Sequence, residues 1–175
     1  EISGKPGSQH EMDTDYFKRI AALNYTMRHD DGQSQGDLDD ADVILTGVSR
    51  TSKTPTCMYL ANRGIKAANV PLVPGIDPPK ELLNATRPLI VGLTTSTERL
   101  MQIRKNRLLS LQEANETEYV DPELIKSETA EARRLFARNN WPVIDVTRRS
   151  IEEIASAILN LYQEYAAKPS ASRGL

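Results

Sequence analysis

Four short apolar runs punctuate the chain: Val43 to Leu45 within ADVILTGV, ANVPLV (Ala68 to Val73), PLIVGL (Pro88 to Leu93) and PVIDV (Pro142 to Val146). Each is mostly β-branched or leucine, as buried strands are. Between them lie stretches with helical spacing. From Asp15 to Arg28, apolar residues recur at Tyr16, Ile20, Leu23 and Met27, close to the 3.6-residue period, and HDDG supplies a stop. Lys53 to Arg63 predicts a second helix, with Pro55 tolerable in its first turn and Gly64 as its C-terminal cap. Thr95 and Glu98 have the spacing that opens a helix, whose face continues through Leu100, Ile103 and Arg107. Asp121 to Asn139 places Ile125, Thr129, Ala132 and Phe136 on one stripe. Ser150 and Glu153 open a last helix with Ile151, Ile154, Ala155, Ile158 and Tyr162 inward. Strands alternating with helices predict the α/β class, a parallel sheet of about four strands flanked by helices, with ligands at the carboxyl ends of the strands.

Composition narrows the chemistry. The chain has 175 residues, enough for one cored domain, with 22 basic and 24 acidic side chains and a net charge of -2. That balance gives no reason to expect nucleic acid or an anionic membrane as partner. One cysteine and two histidines exclude a disulfide framework and a cysteine-cluster zinc site, and favour a reducing compartment. No apolar run reaches the ~18 residues that span a bilayer. Cys57 is expected to pack in a helix and Trp141 to anchor the last strand in the core, while His10 and His29 read as surface residues.

The stretch GVSRTSKTPT follows the first predicted strand and enters the first predicted crossover helix. From Gly47 to Thr54 it fits the phosphate-loop pattern Gly-x-x-x-x-Gly-Lys-Ser/Thr, except that Ser52 stands at the second glycine. In this position Gly47, Val48, Ser49, Arg50, Thr51, Ser52, Lys53 and Thr54 are candidate anion ligands: loop N–H groups and a helix N-terminus for phosphate, Arg50 and Lys53 for its charge, and the Thr54 hydroxyl for a magnesium ion. The same segment also reads as a polar strand-to-helix turn with Thr51 or Ser52 as a cap. A carboxylate to orient a hydroxyl could come from Asp30 or Asp31, which double as turn formers, or from Asp145 at the end of a strand, which doubles as a cap. Arg99, Arg104, Lys105 and Arg107 could grip phosphate or an acidic partner surface, or form a solvated face.

Gly47 to Gly75 (GVSRTSKTPTCMYLANRGIKAANVPLVPG) resembles the signature segment of the pyruvate, phosphate dikinase regulatory proteins. The likeness continues in HEMDTDYFKRIAALNYTMRHDDG, GLTTSTERLMQIRKNRL and WPVIDVTRRSIEEIA, so it covers nearly the whole chain. The related regulators of phosphoenolpyruvate synthetase typically carry SRCGKTP at the loop. SRTSKTP and ANVPLVPG point to the dikinase branch, although TCMYLA is similar to the synthetase branch. The resemblance implies a P-loop-like nucleotide-binding domain and a bifunctional enzyme. It would phosphorylate an active-site threonine of the dikinase from ADP, and reverse this with inorganic phosphate, releasing pyrophosphate. Lys53, Asp30, Asp31 and Asp145 become candidate catalytic residues, ADP and phosphate the substrates, magnesium an expected ion, and the dikinase the partner; a homodimer is admitted. The alternatives are an ADP-binding regulatory or partner-binding module without catalysis, or a regulator of phosphoenolpyruvate synthetase. Family members carry an additional N-terminal domain. Residues 1–36 are therefore expected to be a helical segment resembling its end, residues 37–166 the catalytic domain and residues 167–175 a flexible tail. The expected location is a bacterial cytoplasm, with plastid stroma as alternative.

Overall fold

The computed structural model describes residues 8–30, 37–110 and 120–169, with the backbone alone for residues 8–13. Four strands form one parallel sheet: β1 (Val43–Gly47), β2 (Ala67–Pro71), β3 (Leu89–Thr94) and β4 (Val143–Asp145), in the order β2-β1-β3-β4. The four apolar runs are these strands, with ends displaced by one or two residues. β2 stops at Pro71, which has no N–H for the ladder.

Helices α1 (Ser8–Arg28), α2 (Lys53–Asn62), α3 (Lys80–Asn84), α4 (Thr97–Ser110), α5 (Pro122–Arg138) and α6 (Ile151–Ala167) surround the sheet, and a 3₁₀ turn, Leu38–Asp40, precedes β1. Alternate residues of a strand face opposite ways. Val43, Leu45, Val91 and Leu93 accordingly pack against Cys57 and Leu60 of α2 and Ile154 and Ile158 of α6. Ile44, Ala68, Val70 and Ile90 face the other way, with Tyr25, Leu38 and Leu82. Phe136, Leu100 and Ile125 close a third cluster over Val48. Trp141 is partly buried against the second and third clusters, and Cys57 is buried, both as expected.

The helix starts follow local chemistry. Asp121 caps α5 by accepting from the Glu123 N–H at 2.9 Å, and Ser150 caps α6 by accepting from the Glu153 N–H at 3.1 Å. In α5 the expected stripe of Ile125, Thr129, Ala132 and Phe136 is the buried one. Two expectations are corrected. α4 is capped by Ser96, whose hydroxyl accepts from the Arg99 N–H at 3.2 Å; Thr95 instead pairs with Thr147 at 3.0 Å. In α1 the expected stripe faces outward, with Tyr16, Ile20 and Met27 exposed, whereas Ala22, Tyr25, Thr26 and His29 are buried. The apolar count favoured the wrong face because the edge of β2 needs hydrogen-bond acceptors from α1 as well as carbon contacts.

That edge is specific. The Ala67 N–H donates to the Thr26 hydroxyl at 3.3 Å, and the Asn69 N–H donates to the His29 carbonyl at 3.0 Å. The last turn of α1 thereby completes the outer side of β2. At the centre of the sheet, β1 leads by one crossover to β2 while β3 lies on its other side, so the crevice where the connections diverge opens at the carboxyl end of β1.

Gly92 shows how tightly α5 is seated. A Cβ there would lie 2.5–2.7 Å from three ring carbons of Phe136, which is fully buried. Gly92→Ala is expected to destabilise the fold by about 1–3 kcal/mol through overpacking, read as a lowered urea midpoint with an unchanged slope.

Candidate functional site

The connection from β1 to α2 carries the phosphate-loop pattern. Gly47 lies against β3: a Cβ there would come within 2.5 Å of the Leu93 carbonyl oxygen. The chain then turns through Arg50 at φ 71° and Ser52 at φ 64°, both in the left-handed region, and Lys53 begins α2. Ser52, the departure from the pattern, therefore takes the conformation that glycine adopts freely. Its side chain makes no capping bond to the helix. Thr51 supplies the local bond instead, donating its hydroxyl to the Val48 carbonyl at 3.0 Å.

Lys53 is buried under this turn. Its Nζ donates to the Val48 carbonyl at 2.7 Å and to Thr51 Oγ1 at 3.3 Å. Thr54, the next residue, donates its hydroxyl to Asp30 Oδ1 at 2.9 Å. Asn69 on β2 completes a triangle, with Nδ2 at 3.0 Å from Asp30 Oδ1 and 2.9 Å from Thr54 Oγ1. A cavity of about 300 Å³ lies over these groups, lined by Ser49, Arg50, Ser52, Lys53, Thr54 and Asn69 among others. A larger cleft, about 380 Å³, opens beyond Val48 between the β2–α3 connection and α5. Asp77, Glu128 and Glu131 line it together with Arg134 and Arg138, so its charges are mixed.

The candidate residues thus divide. Lys53 and Thr54 border one cavity with Ser49, Arg50 and Ser52 of the loop, and Asp30 joins them through its hydrogen bonds with Thr54 and Asn69. Asp145 belongs elsewhere: its Oδ1 accepts from the Thr147 N–H at 2.9 Å and the Thr147 hydroxyl at 2.6 Å, in the turn after β4. Those two bonds, more than the nearby Arg133 and Arg149, hold its carboxyl below the usual range. Asp31 and the side chain of His10 lie outside the described residues.

Two side chains were misread from the sequence. Arg104 is not on a solvated face. It is 1 % exposed, donates to Glu128 Oε2 at 2.8 Å, and reaches the Ser49 carbonyl at 3.3 Å, so it ties α4, α5 and the loop together. Its charge sits on the buried face of an otherwise polar helix, where one-dimensional spacing could not find its partner. Arg99, Lys105 and Arg107 are exposed, as the solvated reading has it. His29 is likewise buried, not at the surface. Its ring stacks on Tyr25 at 3.9 Å, Nδ1 lies 2.7 Å from the Tyr25 carbonyl, and Nε2 lies 2.5 Å from Asp37 Oδ1. Both ring nitrogens thus lie against oxygen atoms. The neighbouring Tyr25 phenol stays protonated, held so by burial first and then by Asp37, Asp40 and Asp42.

Asn69 carried no motif signal. Its one sequence trace is a lone amide inside an apolar strand, a position where a buried polar group must find partners.

Replacing Ser52 by glycine removes a left-handed strain of about 1 kcal/mol but loosens the unfolded chain. Ser52→Gly is therefore expected to raise the unfolding free energy by no more than ~0.6 kcal/mol, measured by urea titration. The Asp37 carboxyl is held below its ordinary value, foremost by the hydrogen bond from His29. A depressed carboxylate stabilises the fold above its unfolded pKa and loses that contribution as the pH falls through the folded value. The wild-type urea midpoint should therefore drop as pH falls below about 4, and Asp37→Asn should flatten that part of the profile.

A family model described as kinase/pyrophosphorylase matches residues 1–159. A relative from Caulobacter vibrioides is 62% identical over 160 residues, covering 91% of this chain and 51% of its own. One from Sphingopyxis alaskensis is 57% identical over 167 residues, covering 95% of this chain and 62% of its own. A third, from Novosphingobium aromaticivorans, is 54% identical over 175 residues, covering 100% of this chain and 62% of its own. All three have names that describe pyruvate, phosphate dikinase regulatory proteins. The chain spans between half and two thirds of these relatives' length. With matches across nearly all of its own length, the chain belongs to the kinase/pyrophosphorylase family.

Proposed function

We propose that this chain carries the nucleotide and phosphate site of a regulator of pyruvate, phosphate dikinase, which transfers the β-phosphoryl group of ADP to a threonine of that enzyme and removes it again by phosphorolysis. The observation that carries the reading is the turn between β1 and α2. A buried lysine, a threonine hydroxyl and a glycine-started loop border one cavity, at the carboxyl end of the central strand.

Phosphoryl transfer asks a protein mainly for alignment and charge neutralisation. In the kinase direction the loop Gly47 to Thr54 would hold the diphosphate of ADP as a P-loop does. The threonine oxygen attacks the β-phosphorus, the bond to the bridging oxygen breaks, AMP leaves, and the hydroxyl proton is released. In the reverse direction an oxygen of inorganic phosphate attacks the phosphothreonine phosphorus. The bond to the threonine oxygen breaks, that oxygen takes up a proton, and pyrophosphate leaves. Lys53 and Arg50 supply positive charge to the phosphoryl oxygens in both directions. Arg104 keeps the loop in place through the Ser49 carbonyl.

Magnesium fits the donors present, because the Thr54 hydroxyl stands among hard oxygen groups of the kind that ion takes. Thr54 would hold it, and the ion would supply charge neutralisation at the phosphates. The bacterial relatives support a bacterial setting for this activity; the cytoplasm is the proposed compartment. No helix among the described residues is long and apolar enough to cross a membrane.

The test is to incubate the protein with histidine-phosphorylated dikinase and ADP labelled in its β-phosphate, and to follow labelled threonine and AMP. Label on threonine with stoichiometric AMP is the expected result, and Lys53→Ala should lower both this rate and phosphate-dependent release of pyrophosphate by about 10²–10³-fold. Transfer from ATP alone would overturn the reading. ADP binding without any transfer would reduce the chain to a nucleotide-responsive module.

A further inference from the structure

The triangle of Asp30, Thr54 and Asn69 has a geometry that its hydrogen bonds do not exhaust. Thr54 Oγ1 and Asp30 Oδ1 are 2.9 Å apart and come from different elements: the first turn of α2 and the segment leaving α1. Magnesium binds oxygen at about 2.0–2.1 Å in an octahedron, so two adjacent ligands stand about 2.9 Å apart. The pair has the spacing of one octahedral edge. The Asn69 amide, 2 % exposed, donates to Thr54 Oγ1 at 2.9 Å and to Asp30 Oδ1 at 3.0 Å, and so ties the orientation of both oxygens to β2. Partners of this kind, one bond behind the ligands, set the direction of the ligand lone pairs.

We infer that Asp30 and Thr54 are the two protein ligands of the cation that accompanies the nucleotide, that Asn69 is the residue that positions them, and that Asp30 therefore acts as a ligand, not as the base for the threonine. The inference rests on the nucleotide reading of the loop and adds to it the source of the carboxylate. Asp145, the strand-end aspartate that the phosphate-loop pattern would nominate, has its Oδ1 engaged by two bonds from Thr147 and stands on β4, with β3 between it and β1. The described residues contain no group of three or more acidic, histidine or cysteine side chains able to hold an ion by themselves. One carboxylate and one hydroxyl leave the remaining positions to water and phosphate oxygens, the usual arrangement for magnesium at a nucleotide. The ion and ADP must then bind together.

The deciding measurement is calorimetric titration of ADP into the protein in magnesium and in EDTA, with Mn²⁺ resonance spectra as a direct count of bound ion. Wild-type protein should bind ADP about tenfold or more tightly with magnesium, and should bind Mn²⁺ only when ADP is present. Asp30→Asn should abolish that ratio while leaving the EDTA affinity unchanged or higher, since a negative charge near the phosphates is gone. Asn69→Ala should lower the ratio about tenfold or to unity, Thr54→Val should abolish it, and Thr54→Ser should keep it. Asp145→Asn should leave it at the wild-type value. Circular dichroism melts identify any variant that fails to fold, and the Thr54 pair then decides alone. A full magnesium effect in folded Asp30→Asn, or its loss in Asp145→Asn, overturns the assignment. ADP binding indifferent to magnesium in the wild type overturns the assignment alone, whereas absence of ADP binding in both media overturns the nucleotide reading and the assignment with it.

Discussion

β2 runs along the border of the sheet, and among the described residues its outward N–H groups have no strand to pair with. In a parallel ladder alternate residues direct their N–H to the same side, so Ala67 and Asn69 form one unsatisfied set. A buried, unpaired N–H costs about 1–3 kcal/mol, and the last turn of α1 removes that cost with the Thr26 hydroxyl and the His29 carbonyl. Once those bonds form, α1 has one possible rotation about its axis. Tyr25 and His29 turn inward, the His29 ring meets Asp37, and Asp30 arrives beside Thr54. The position of a carboxylate at the site thus follows from a hydrogen-bond requirement at the sheet edge.

The loop is held from its other side by different means. Gly47 is needed because the Leu93 carbonyl leaves no room for a Cβ, and Arg104 carries a buried charge to the Ser49 carbonyl from a helix two crossovers away. An arginine with its guanidinium buried demands a carboxylate, and Glu128 on α5 supplies it at 2.8 Å. α4, α5 and the loop are therefore fixed as one unit. Ser52 and Arg50, at positive φ, are held in conformations that an isolated peptide would rarely visit.

Much of this was legible in the sequence because it is local. The four strands are short apolar runs, the caps of α5 and α6 are a carboxylate or hydroxyl immediately before a helix, and Lys53 and Thr54 follow a known spacing. Where the sequence misled, the deciding partner was remote. Arg104 pairs with a residue twenty-four positions on, and Asn69 meets Asp30 thirty-nine positions back. The face of α1 was chosen by carbon periodicity, yet its inward side includes Thr26 and His29, polar residues selected by the edge of β2. The serine in the loop pattern counted as a departure only while glycine's conformation was equated with glycine itself; the backbone angle survives the substitution.

The contact between Lys53 and the Val48 carbonyl has a further consequence. A buried ammonium without an acceptor is costly. Here the Val48 carbonyl and the Thr51 hydroxyl solvate that charge from within the loop itself. Under the proposed function, phosphate entry would exchange one oxygen partner of Lys53 for another. On that proposal the affinity would be set by the difference between two good contacts, which favours a ligand that arrives readily and departs readily, as a site serving opposite reactions in turn requires.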